Sequence, residues 1–222
     1  MTTGLLPCVE IEPRGAARAA VVWLHGLGAD GHDFEPVVPL LGVEDLGVRF
    51  VFPHAPSIPV TINAGMVMPA WYDVVELDLE RRPDTAGVER SAASVRALLG
   101  RERERGIPAS RTVLAGFSQG GVVALHLGLR LEERLAGILA LSSYLATEEG
   151  LARGSGAAIG ATPIFQAHGT LDPMVPCARG AAARDRLVEL GHAVEWHEYP
   201  IGHEVCREEL DAIGAWLRRV LG

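Results

Sequence analysis

The chain has 222 residues, a formal net charge of −8, and 48% hydrophobic residues. That length and apolar content suit one domain with a sizeable core and exclude a disordered chain. The acidic balance argues against nucleic acid or an anionic membrane surface as the main partner.

The opening MTTGLLPCVEIEPRG has no positive n-region, and Pro7 interrupts its apolar run. No run approaches the roughly eighteen apolar residues of a membrane helix. The expectation is a soluble, cytoplasmic protein without an integral membrane segment. Cys8, Cys177 and Cys206 are odd in number and form no C-x-x-C. They read as reduced thiols rather than a disulfide framework or a structural zinc site.

In chain order, LPCVEIEP (6–13) can add an antiparallel edge strand. AVVWLH (20–25) and RFVFPH (49–54) are strands, and Pro36 and Pro39 interrupt any helix between them. IPVTINAGMVMPAWYD (58–73) predicts a β-hairpin turning at Asn63-Ala64-Gly65. It is too apolar for an ordinary loop, so it either packs as core or walls an apolar pocket. TAGVERSAASVRALLGRERERG predicts a helix with Val88, Ala92, Val95 and Leu99 on one face. Its RERER end (101–105) reads as a solvated charged face, and Gly106 and Pro108 stop it.

TVLAGF (112–117) is a strand with a helix after Ser118. GILALSS (137–143) and PIFQAH (163–168) are further strands, separated by a small-residue surface loop, EEGLARGSGAAIGA (148–161). A helix over about 178–190 leads to the strand VEWHEY (194–199). The last helix carries Leu210, Ile213, Trp216, Leu217 and Val220 at helical spacing. The strands are nearly continuous in apolar residues, as strands covered on both faces are. The class is therefore α/β: one domain over 1–222, with a mostly parallel central sheet flanked by helices.

After the first long strand, GLGADG (26–31) satisfies G-x-G-x-x-G. A dinucleotide site also needs an acidic residue at the end of the second strand. Here that strand ends in His54-Ala55-Pro56, and Glu44 and Asp45 lie at its other end. The alternative is a glycine turn that exposes backbone N–H groups to a developing oxyanion.

AGFSQGG (115–121) decides between them. It contains Gly116-Phe117-Ser118-Gln119-Gly120, a G-x-S-x-G between a strand and a helix, the context of a nucleophile elbow. A serine hydroxyl needs a base, and on this frame the order is Ser, acid, His. Of the histidines after Ser118 (His126, His168, His192, His197 and His203), His203 lies in the loop between the final strand and the final helix. HGTLDPMVP (168–176) places Asp172 on another strand-end loop, whereas Asp185 sits among helical charges. The reading is Ser118 as nucleophile, His203 as base and Asp172 as its orienter. The N–H groups of Leu27 and Gln119 are the oxyanion donors. His25, His54, His168 and Asp172 also fall at strand ends, but none of their spacings is a metal signature, and no cofactor is implied.

With these residues together, the chain resembles the acyl-protein thioesterase and small bacterial carboxylesterase (phospholipase/carboxylesterase) family of α/β-hydrolases. The resemblance rests on LHGLGADGHDF, FPHAP, NAGMVMPAWYD, GFSQGG, AHGTLDPMVP and IGHEV, and covers almost the whole chain. It implies the same triad and oxyanion donors, and an α/β-hydrolase fold with no large lid domain. It also implies an acyl groove lined by the hairpin around Met66 to Trp71. Ile62, Met66, Met68, Trp71, Tyr144 and Val175 are the candidates for an apolar acyl pocket. The implied substrates are small-molecule esters or thioesters, acylated proteins, or lysophospholipids, and a homodimer is left open. Two rivals from other classes are a nicotinamide-dependent oxidoreductase and a non-catalytic binding protein on the hydrolase fold.

Overall fold

The computed structural model describes residues 4–75, 84–147, 151 and 162–222. Its strands are β1 (Cys8–Ile11), β2 (Ala19–Leu24), β3 (Val48–Pro53), β4 (Ser57–Val60), β5 (Met66–Pro69), β6 (Thr112–Phe117), β7 (Gly137–Leu141), β8 (Ile164–Gly169) and β9 (Val194–Tyr199). The α-helices are α1 (Thr85–Glu104), α2 (Gln119–Gly128), α3 (Cys177–Glu189) and α4 (Arg207–Leu221). The expected surface loop over 148–161 lies outside the described residues, except for buried Leu151.

Seven strands form one sheet in the order β1-β3-β2-β6-β7-β8-β9. All neighbours run parallel except β1, which pairs antiparallel to β3 with Cys8 opposite Pro53. The edge strand expected over 6–13 is this one. The sheet grows from β2 toward β3 and β1, then from β2 the other way through β6 to β9. That reversal opens a crevice at the carboxyl ends of β2 and β6, where ligands of open α/β sheets bind.

The near-continuous apolar strands do lie between two covered faces. Val22 and Leu24 of β2 face a core shared with Val88 and Val95 of α1, Val122 to Leu125 of α2, and Leu187 of α3. The alternate residues Val21 and Trp23 face a second core with Phe34 and with Leu210, Ile213, Trp216 and Leu217 of α4. Each fully buried Leu, Val or Ile here contributes roughly 1.5–3 kcal/mol relative to exposure.

Two local expectations change. The strand expected over 137–143 ends at Leu141 because Ser142 turns to φ 45°. The RERER end of α1 is solvated only in part: Arg103, Glu104 and Arg105 are exposed, but Glu102 is not. The Glu102 side chain is fully buried, paired with Arg49 and Arg105 at 2.9 Å each and Arg101 at 3.0 Å. Glu12 lies 2.8 Å from both Arg49 and Arg105. This end of α1 lies over the β1–β3 edge, so Glu102 and its arginines tie helix to sheet while Arg103 and Glu104 face water.

Candidate active site

The segment after β2 passes into a short 3-10 turn over Glu35–Leu40, where Pro36 and Pro39 stand. The glycine loop before it is shaped by its neighbours. His25 is buried. Its Nδ1–H donates to Gly26 O at 2.7 Å, and its Nε2 accepts from Ala55 N at 3.1 Å. Burial lowers its pKa, consistent with a neutral ring in which each nitrogen has a fixed partner. Gly28 sits at φ 77° and donates its N–H to Pro69 O at 2.9 Å. Gly31 N donates to His54 Nδ1 at 3.1 Å. These glycine N–H groups are thus committed within the protein rather than free to cradle a pyrophosphate. Leu27 N–H, just before Gly28, has no acceptor among the described residues.

The elbow is built by close approach. A Cβ on Gly116 would fall 2.3 Å from the Gly120 backbone, and one on Gly120 would fall 2.4 Å from Leu24 O. Only glycines let α2 start so close to β6 and β2. Ser118, between strand and helix, is held at φ 54° and ψ −120°, a conformation costing about 1–3 kcal/mol that the surrounding packing must offset. Its N–H donates to Leu141 O at 2.9 Å, which fixes the turn. Gln119 opens α2, so its backbone N–H belongs to the helix end that has no intrahelical acceptor. Its buried side chain spans to the hairpin: Oε1 accepts from Trp71 N at 3.1 Å, and Nε2 donates to Tyr72 O at 2.9 Å.

Asp172 and His203 come from the loops after β8 and β9. His203 Nδ1 lies 2.6 Å from Asp172 Oδ2, whose side chain is fully buried. The other oxygen, Oδ1, accepts from Met174 N at 2.8 Å and Val175 N at 2.9 Å. Asp172 is therefore both a turn aspartate and a histidine partner. A carboxylate only accepts, so Nδ1 carries the proton and Nε2 is left as a base. The Phe117 ring packs against the imidazole at 4.7 Å.

One histidine has contacts that the sequence reading did not give it. His168 is buried, donates Nε2–H to Val175 O at 2.7 Å, and lies 3.5 Å from Asp172 Oδ2. Burial lowers its pKa. It braces the loop that carries the acid. Its place at a strand end was legible, but its partner was not.

Ser118, Gln119, Leu27 and His203 line one cavity of about 440 Å³. Of the acyl-pocket candidates, Ile62, Met68, Tyr144 and Val175 line it too. Trp71 and Met66 do not. Trp71 is 2% exposed, with Nε1–H on His25 O at 2.8 Å and its carbonyl accepting from Ser91 Oγ. It is the pillar between hairpin and glycine loop. Met66 stands at the hairpin turn and is 63% exposed. Core packing and pocket wall, offered as alternatives by the sequence, are combined in the hairpin: its base packs as core and its inner side walls the pocket. Sequence reasoning missed Val74, Met174 and Arg179 as lining residues.

The sequence profile of the phospholipase/carboxylesterase family matches residues 7–221. Acyl-protein thioesterase 1 of Neurospora crassa is 44% identical over 209 residues, covering 90% of this chain and 85% of the relative. Acyl-protein thioesterase 1 of Gibberella zeae is 38% identical and covers 100% of this chain and 98% of the relative. Among solved structures, Arabidopsis thaliana SOBER1 superposes with a TM-score of 0.86 at 33% identity, covering 93% of this chain and 100% of that one. The Bacillus cereus carboxylesterase, at 18% identity and a TM-score of 0.78 over 99% and 96% of the two chains, shares the fold. No helix among the described residues is long and apolar enough to cross a membrane. The chain belongs to the phospholipase/carboxylesterase family of α/β-hydrolases and is a serine hydrolase of esters or thioesters.

Proposed function

We propose that Ser118, His203 and Asp172 form the catalytic triad of this hydrolase, with the Leu27 and Gln119 N–H groups as its oxyanion hole. The observation that carries the proposal is the 2.6 Å Asp172–His203 hydrogen bond opening on the cavity that the strained Ser118 also lines. His203 Nε2 takes the Ser118 proton as Oγ attacks the acyl carbonyl. Asp172 holds the ring and stabilises the imidazolium. The tetrahedral oxyanion accepts from the two N–H groups, fixed by the tied glycine loop and the start of α2. His203 then protonates the leaving alkoxide or thiolate, and water, activated by the same base, releases the acid from the acyl-enzyme.

The preferred acyl donors in this reading are thioesters or esters of short to medium acyl chains, including S-acylated proteins. The apolar wall of Ile62, Met68 and Val175 supports that choice. A lysophospholipid is the second reading and rests on the same wall. The three free cysteines fit work in a reducing cytoplasm.

The test is a fluorophosphonate probe on the purified protein, followed by mass spectrometry of the labelled peptide, alongside hydrolysis of 4-nitrophenyl butyrate and an S-acyl peptide. Label on Ser118 with matching loss of both activities is expected. An unlabelled Ser118 in an active protein would move the nucleophile elsewhere.

A further inference from the structure

The cavity holds a cation that ester chemistry does not use. Arg179, in the first turn of α3, lines it together with Ser118 and His203. The guanidinium carbon lies 3.7 Å from the centre of the Tyr144 ring. Tyr144 in turn meets the hydroxyl of buried Tyr72 at 3.2 Å. The other arginines of α3 are paired, Arg184 with Asp185 and Arg186 with Glu189. Arg179 has no carboxylate within ion-pair distance and no side-chain hydrogen bond among the described residues.

Asp33 is the one carboxylate among the lining residues. It sits in the loop after β2, and burial raises its pKa with no arginine holding it down. It is not the counter-ion of Arg179. A guanidinium stacked on an aromatic ring uses its face, which leaves the in-plane N–H fork open for a planar, singly charged acceptor. One guanidinium fork, with no lysine or second arginine among the lining residues, suits a carboxylate better than a phosphate dianion, which calls for several cations.

We infer that Arg179 is a specificity-determining residue that selects ester or thioester substrates carrying a carboxylate away from the scissile carbonyl. This rests on the Ser118 reading of the same site. The carboxylate can belong to the acyl chain, as in a half-ester of a dicarboxylic acid, or to the leaving group, and two substrate pairs separate these.

The first pair is mono-4-nitrophenyl adipate and its methyl-capped diester. The second is 4-(hexanoyloxy)benzoate and its methyl ester. kcat/KM is measured for the full chain and for Arg179→Met and Arg179→Lys. The expected result is an anionic-to-neutral ratio that falls on the order of ten- to a hundred-fold in Arg179→Met for one pair. Arg179→Lys should retain part of the ratio, since the charge stays while the fork is lost. The pair that responds names the half of the substrate that carries the anion. In the wild type, added salt should narrow the same ratio, which keeps the test independent of how the variants fold.

A ratio equal in wild type and Arg179→Met for both pairs, or indifferent to salt, overturns the inference. Loss of Ser118-dependent hydrolysis of the neutral esters would instead locate the failure in the reading of the site.

Discussion

Asp172 and Glu102 are both carboxylates with fully buried side chains, and they do opposite work. Asp172 spends one oxygen on two backbone N–H groups and the other on His203, whose far side opens on the cavity. Glu102 meets Arg49, Arg101 and Arg105. Guanidinium groups do not give up protons near neutrality, so nothing around Glu102 can pass a proton on. An imidazole can. Burial of a charge alone therefore does not mark a functional site. What marks it is a partner able to exchange a proton and a face open to substrate.

The largest expected effect is at the group the Asp172 cluster serves. Ser118→Ala should lower kcat on the order of a million-fold with the fold intact. Steady-state assays of protein purified free of contaminating esterase check this, and retained turnover would sink the assignment. Asp172→Asn comes next, at roughly ten-thousand-fold in kcat. The amide oxygen can still accept from Met174 and Val175, but its NH2 facing His203 favours the wrong tautomer. Urea unfolding of that variant should stay close to wild type. A large loss of stability with little loss of kcat would make Asp172 no different in kind from Glu102.

Glu102→Gln should give the mirror image. It leaves three arginines around a neutral amide and should cost on the order of 2–4 kcal/mol of stability, since breaking a buried ion pair strands the remaining charge. Glu10 and Glu12 still pair with Arg105, which limits the loss. Specific activity of the folded fraction should not change. An activity loss that exceeds the unfolded fraction would mean the cluster reaches the active site, and the contrast would fail.

The difference between the two clusters also separates what the sequence discloses from what it withholds. The elbow is legible because its physics is local. A strand, a serine and two glycines at fixed offsets describe one tight turn, and the proposed order Ser118, Asp172, His203 is the one expected on an α/β-hydrolase frame, with each residue beside a strand end. The α/β alternation and the hairpin over 58–73 are legible for the same reason. Facing is not. In RERER every residue is charged, so no apolar stripe shows that Glu102 points inward against the β1–β3 edge. Trp71 looks like a pocket wall by composition. Only tertiary contact makes its indole the post under His25 O. Arg179 is one of three arginines on α3, and its turn toward Tyr144 depends on how that helix seats.

A third buried carboxylate sharpens the contrast at the small end of the scale. Glu209 is 1% exposed on the first turn of α4, and burial pushes its pKa from an ordinary 4.5 up to about 7. The Cys206 N–H bonded to it pulls the other way but does not prevail. It has neither the arginines of Glu102 nor the histidine of Asp172. The folded state thus holds this proton more tightly than the unfolded state does. Its contribution is fully present below 4.5 and is lost as pH rises through about 7. Glu209→Gln removes that loss. The stability of the variant relative to wild type should therefore improve by roughly 2–3 kcal/mol between about pH 5 and about pH 8. His25, His126 and His168, whose pKa values burial lowers, weaken the fold on the acid side in both proteins and cancel in the difference. Urea unfolding of both proteins at the two pH values measures it. An equal difference at each would mean that Glu209 is charged at both, with a cation or water supplying what Arg49, Arg101 and Arg105 supply to Glu102.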